Sequence, residues 1–406
     1  GSINLVRYVR DGGIDWEGLA RDVALAVRFL DDVIDVNRLP DERLRGMNLA
    51  GRRIGLGANG FADALVSLGI RYDSPEGVAL ADLLASFIFR IAVRASADLA
   101  REKGVAPLFS LSDWARGVLP WVKAFGRLGR LGKTYPEVGE YLETLRRGYE
   151  GIKYLAEGAR RVLEAYHASD EELKEDVKGG IRNLGIMSIA PEGSRSLIAG
   201  VNSSIEPLFA IAYVRNLSIG RLVEYNMTAL RLLARYNALA DGAREYVEEH
   251  GTLPPGHPLA NLLRTAHEIH WKWHVYMQVT WARWNDSGVS KTINLPSDAS
   301  VEDVDGALRL AWLLGAFGIT VYRDKSKSVQ VIYTGVRASN TTKPDGNNHT
   351  SGNGHASITN LGAFKDRLRL VRVGTDGGGE EDGIEGEMRR VLGETDDPYC
   401  KTGSCG

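Results

Sequence analysis

Residues 288–323 read as strand, helix, strand with little sequence to spare, and this unit constrains the fold more than any other stretch. Residues 289–295 suit a strand, Pro296 and Ser297 break it, and Ser300 is placed to cap a helix running to about Gly315. Gly318 closes that helix, and 319–322 reads as a second strand. Two strands joined through a helix run parallel, by a right-handed crossover. Residues 186–190, followed by a Gly/Ser-rich turn and an apolar segment, read as the start of another such unit. An amphipathic helix is predicted over 15–35, where Leu19, Val23, Val27, Leu30 and Ile34 recur every three or four residues behind a capping Asp15. Further helices are predicted over 75–104, 138–168, 218–250 and 257–285. The fold class is therefore α/β, parallel strands under helical cover.

That body occupies 1–335. From 336 to 360 the composition turns to Asn, Thr, Gly, Ser, Pro and His, too poor in apolar residues to offset the entropy of ordering, and a flexible linker is expected. A mobile tail is expected over 361–406. Fifty Lys and Arg against 52 Asp and Glu leave a net charge of −2, without the basic excess of an electrostatic nucleic-acid binder. The most apolar run, 78–93, is broken by Asp82 and Arg90 and falls short of the roughly 18 residues that span a bilayer. With no secretory signal either, the chain reads as cytoplasmic, without a membrane partner.

Four constellations could carry chemistry. Cys400 and Cys405 are the only two cysteines. Their spacing lets the tail fold back to bring the sulfurs to disulfide distance, which suits thiol–disulfide exchange on a tether. The segment Ala190, Pro191, Glu192, Gly193, Ser194, Arg195, Ser196 follows a predicted strand; free backbone N–H groups, hydroxyls and an Arg there could cradle a phosphate, or form an ordinary turn. Asp31, Asp32 and Asp35 match a magnesium-diphosphate pattern, but that pattern belongs to all-helical proteins, and a solvated helix end is the better reading. His267, His270 and His274, with Glu268, fall at helical spacing among aromatic residues, and packing explains them better than a metal site.

Read together, these segments resemble the C-terminal portion of class II, adenosylcobalamin-dependent ribonucleotide reductases. The resemblance is carried in order by GSINL at 1–5, AVRFLDDVIDVNRLP at 26–40 and RRIGLGANGFADALVSLGIRYDS at 52–74. It continues with RNLGIMSIAPEGSRSLIAGVNSSIEPLFAIAY at 182–213, HVYMQVTWARWNDSGVSKTINLPSDASVEDV at 274–304 and GITVYRD at 318–324. It implies part of a ten-stranded α/β barrel and reduction of ribonucleotides at the 2′ carbon, started by a thiyl radical. It implies adenosylcobalamin as cofactor, a substrate-phosphate loop at 190–196, and Cys400 and Cys405 as a reducing arm served by a thioredoxin- or glutaredoxin-like protein. A single Tyr322, rather than two adjacent tyrosines, favours the cobalamin route over the iron-dependent one. The family's radical cysteine and barrel redox pair lie upstream of the GSINL block. The expectation is thus a chain that works with an N-terminal half, in a homo-oligomer of the complete enzyme. The alternative is a non-catalytic nucleotide-binding or interaction protein of the same descent. The chain departs from the resembled pattern in three places: the PTGTIS-like loop reads Pro191 to Ser196 as PEGSRS, Ser204 replaces a usual Gly, and Asn59 replaces a usual apolar residue.

Overall fold

The computed structural model describes residues 1–217, 220–236, 238, 242–326 and 332–336. The predicted linker beyond Val336 and the tail 361–406, with Cys400 and Cys405, lie outside the described residues.

In chain order the elements begin with β1 (Ser2–Asn4), the short pair β2 (Val9–Arg10) and β3 (Gly13–Ile14), α1 (Trp16–Val36), α2 (Glu42–Gly51), β4 (Gly57–Asn59) and α3 (Phe61–Ser67). The helices α4 (Pro75–Lys103), α5 (Pro120–Leu131), α6 (Pro136–Gly151), α7 (Lys153–Ala165), α8 (Asp170–Gly179) and α9 (Gly193–Ala199) follow. Then come β5 (Ala212–Leu217), β6 (Gly220–Tyr225), α10 (Met227–Arg235), α11 (Ala243–His250), α12 (Trp271–Arg283), β7 (Thr292–Leu295), α13 (Val301–Leu314), β8 (Thr320–Arg323) and β9 (Ile332–Thr334).

The longest helices follow their local signals. Asp15 accepts from Gly18 N–H to start α1, whose Leu19, Val23, Val27 and Ile34 are buried. Ser74 caps α4, Pro75 occupies its first turn, and Gly104 ends it at φ +88°. Almost every residue of 77–100 is buried, so α4 is the central post against which α1, α6, α7, α8 and α12 pack. The α4–α6 approach requires glycine: a Cβ on Gly148 would lie 2.0 Å from the carbonyl oxygen of Pro75.

Parallel pairing runs along the chain in order. β1 pairs with β4, Leu56 bridges to Met187 and Ile189 bridges to Val289, all parallel, and β7 pairs with β8. Backbone bonds such as Leu56 N–H to Ile186 O and Ile189 N–H to Gly288 O extend these contacts. The described residues therefore hold five parallel segments side by side, in sequence order, each joined to the next through helices. The expectation is part of a ten-stranded barrel; among the described residues the row holds these five segments and does not close on itself. A separate antiparallel sheet has the order β6-β5-β9.

Three predicted helices are corrected. The stretch 138–168 is two helices, α6 and α7, parted at buried Ile152. The stretch 218–250 begins with β6, not helix, because β5 offers it a partner in register from Ala212↔Tyr225 to Leu217↔Gly220; Asn226 then caps α10. Residues 257–270 are not helical: Pro258 and the bridge of Leu208 to Thr265 hold them extended or turned until His270 caps α12. No described helix is long and apolar enough to cross a membrane.

Candidate functional site

A cavity of about 800 Å³ is walled by β7, β8, the segment after the third parallel piece, and the β5–β6 hairpin. Alternation on β7 explains its lining. Ile293 and Leu295 are buried in the helical layer, which turns Thr292 and Asn294 toward the cavity. Tyr322 of β8, Tyr213 and Glu224 of the hairpin, and Ser196, Asn202 and Glu206 complete the polar lining. Ligands of open parallel sheets commonly sit beyond the strands' carboxyl ends.

Of the seven predicted phosphate-loop residues, Ser196 lines this cavity. Ala190 is half-buried, and Pro191, Gly193, Ser194 and Arg195 are exposed around it. Glu192 is buried and precedes α9 in the left-handed region, at φ +61°. Arg195 Nη2 donates to Glu192 Oε1 at 2.7 Å, so the guanidinium offsets the carboxylate that would otherwise repel an anion. Ser196 Oγ donates to Gly193 O and exchanges a hydrogen bond of 2.9 Å with Ser203 Oγ.

Behind this wall lies a buried polar network that the sequence reading missed. Lys291 Nζ, fully buried, donates to Glu206 Oε2 at 2.9 Å, Thr292 O at 2.9 Å and His274 Nδ1 at 3.1 Å. An ammonium has donors only, so Nδ1 of His274 is the acceptor and its Nε2 carries the proton to Ala266 O at 3.0 Å. Burial, then the neighbouring Lys291 charge, holds His274 well below the usual histidine range. Burial also lowers Lys291, against the raising effect of Glu206. Glu206 Oε1 accepts the N–H of Thr292 at 2.7 Å. Asp63, raised by burial, accepts from Asn202 N–H and from the Asn226 amide. The KTINLP run could have pointed here, since a Lys inside a strand with apolar neighbours must find buried partners.

The other predicted clusters are structural. Asp31, Asp32 and Asp35 bring oxygens within 4.8 Å of one another, but cations already hold them. Buried Asp31 is bound by Arg52 at 2.8 Å and Arg182 at 3.2 Å, Asp35 by Arg52 at 2.7 Å, and Asp32 by Lys103. The histidines do not share a helix face: His274 belongs to the network above, His270 caps α12 by accepting from Lys272 N–H, and His267 precedes that helix against Phe209. Glu268 accepts from Thr265 N–H and Oγ1.

The ribonucleotide reductase barrel-domain family model matches residues 1–322. The vitamin B12-dependent ribonucleoside-diphosphate reductase of Thermoplasma acidophilum is 38% identical over 350 residues, which are 85% of this chain and 38% of that protein. The enzyme of the same name from Mycobacterium tuberculosis is 35% identical over 337 residues, 82% of this chain and 39% of that protein. The ribonucleoside-diphosphate reductase subunit alpha of Chlamydia muridarum is 32% identical over 301 residues, 73% of this chain and 26% of that protein. The chain thus spans about two-fifths of the length of its B12-dependent relatives. A match over this much of the chain, on a row of parallel segments beside a polar cavity, settles its descent: the chain belongs to the ribonucleotide reductase barrel-domain family.

Proposed function

We propose that this chain takes part in reducing ribonucleotides to 2′-deoxyribonucleotides, with its cavity as one side of the active site. The observation that carries the reading is the convergence of Ser196, Asn202, Asn294 and Tyr322 on one cavity of nucleotide size. The five parallel segments are then one half of the ten-stranded barrel. The segment 190–196 holds the substrate phosphates through its backbone N–H groups, Ser194 and Ser196, with Arg195 neutralising Glu192. Overall, the 2′ hydroxyl leaves as water while a dithiol gives up two hydrogens and becomes a disulfide, so atoms and electrons balance.

Cys400 and Cys405 serve as the dithiol that renews the barrel pair, and a thioredoxin- or glutaredoxin-like protein reduces them in turn. The root of that arm is anchored near the cavity. β9 pairs with β5, whose Tyr213 lines it, and Gly335 N–H donates to Ala212 O. Gly335 is at φ +76°, and a Cβ there would lie 2.0 Å from Glu249 O.

Adenosylcobalamin, named for the relatives by their B12 dependence, is the cofactor of this reading. The side-chain amides of Asn202 and Asn226 are committed to Glu206 O, Pro207 O and Asp63, which leaves neutral Asn294, beside apolar Phe209 and Met227, as the amide that would hold a nucleoside-bearing group. When bound, it supplies the initiating radical. The radical cysteine belongs to the family's upstream sequence, the N-terminal half is a partner, the working form is a homo-oligomer, and the location is cytoplasmic.

The test is deoxyribonucleotide formation with adenosylcobalamin and dithiothreitol, by this chain alone and with the family's N-terminal half. Product only with the N-terminal half present supports the reading. Nucleotide binding without product in both favours the non-catalytic relative.

A further inference from the structure

We propose that Lys291 is a positioning residue: it holds and neutralises the Glu206 carboxylate so that the segment 196–207 forms a fixed wall of the cavity. The argument starts from cost. A fully buried ammonium loses several kcal/mol of hydration unless every donor is used, and Lys291 uses all three, on Glu206, Thr292 O and His274. It directly precedes β7, in step with buried Ile293 and Leu295, with its nitrogen 5.8 Å from the ring centre of Tyr72. It therefore acts from behind the wall, not on a ligand.

Glu206 is the residue through which it acts. Its carboxylate bridges Lys291 Nζ and the Thr292 N–H, while the residue itself lines the cavity. Its carbonyl and that of Pro207 accept from the Asn202 amide at 2.7 and 2.9 Å, and its N–H donates to Ser203 O. Ser203 in turn meets Ser196, the first buried residue after Glu192 in the predicted phosphate segment. A continuous chain of hydrogen bonds thus runs from the buried ammonium to Ser196. Without Lys291 the carboxylate is left uncompensated beside the cavity, where it moves toward water and repels an anionic ligand.

The test uses the full chain and two readouts. In amide hydrogen exchange, Lys291→Met should lower protection of 197–207 and 292–295 by about tenfold, the loss expected for one charged hydrogen bond, with the centre of α4 unchanged. The double variant Glu206→Gln/Lys291→Met, which removes both charges and keeps the amide acceptor for Thr292, should restore protection. The binding readout, titration with a ribonucleoside diphosphate, should follow the same order; this arm rests on the phosphate-loop reading. If the wild-type chain binds no diphosphate but the exchange pattern appears, the phosphate reading fails and the positioning role stands. Unchanged exchange in Lys291→Met, or equal loss throughout α4, overturns the positioning role. If Lys291→Met does not fold, Glu206→Gln alone is read by exchange: it leaves the buried ammonium without its counter-ion and should lower protection of 197–207 and 292–295, with the centre of α4 unchanged.

Discussion

Asn59 Oδ1 accepts the backbone N–H of Ser204 at 2.8 Å. These are two of the positions read from the sequence as departures from the resembled pattern, and the fold puts them in contact. Ser204 is buried at φ +50°, the left-handed region that a Gly would occupy without strain, and its Oγ has no hydrogen-bond partner. Buried Asn59 also accepts from Gly60 N–H at 3.2 Å, so its amide oxygen organises the turn into the cavity wall.

Ser204→Gly should therefore stabilise the chain by up to about 1 kcal/mol, strain relief outweighing the entropy of a freer unfolded chain. Asn59→Ala should cost about 1–3 kcal/mol, because the Ser204 N–H is left buried without an acceptor. Denaturant midpoints of the two variants check both signs; a stabilising Asn59→Ala would refute the pairing.

Arg195→Ala should weaken ribonucleoside diphosphate binding by about tenfold, since the buried Glu192 carboxylate then faces the ligand alone. Arg195→Ala/Glu192→Gln should recover most of it. Titration calorimetry reads the difference, and equal affinities of wild type and Arg195→Ala would remove the loop from the site.

Asp31→Ala should destabilise by about 3–5 kcal/mol, because it leaves Arg52 and Arg182 near a buried space without their shared counter-ion. Magnesium should not alter the unfolding midpoint of the wild type. A magnesium-dependent rise would instead make the three aspartates a metal site.

Stability should fall as the solution is acidified from pH 7.5 to 6. Folding keeps His274 neutral, well below its usual range, whereas the unfolded chain takes up a proton near the ordinary value of about 6.5. The unfolded state therefore binds more protons in this window, and stability is lost as pH drops through it. Partly buried His267 is shifted the same way by burial and adds to the slope. Asp286, raised by burial to about 6, acts oppositely, mainly at lower pH. Denaturant midpoints across the window should show the slope, and His274→Gln should reduce it.

Cys400→Ser should abolish turnover driven by thioredoxin while leaving turnover driven by a small dithiol that reaches the barrel directly. Coupled assays with the two reductants check this, and equal loss with both would refute the arm.

The amino-acid sequence alone is enough to read the helices with strong caps and apolar stripes, α1, α4 and α13, and the parallel unit of β7 and β8. Asp15, Ser74 and Ser300 are local signals, and helical periodicity needs no partner to be read. It also determined the family, because ordered motifs survive from GSINL to GITVYRD. Tertiary structure decided what depends on a partner distant in the chain. β6 read as helix until β5 paired with it, and residues 257–270 read as helix until Thr265 met Leu208. The aspartates at 31–35 became an ion network only when Arg52, Arg182 and Lys103 converged on them. Lys291, unremarkable in sequence, owes its role to Glu206 and His274, which lie 85 and 17 residues away. Local propensity fixes what a segment can become alone; hydrogen bonds and charges buried in common are fixed only when the chain brings their partners together.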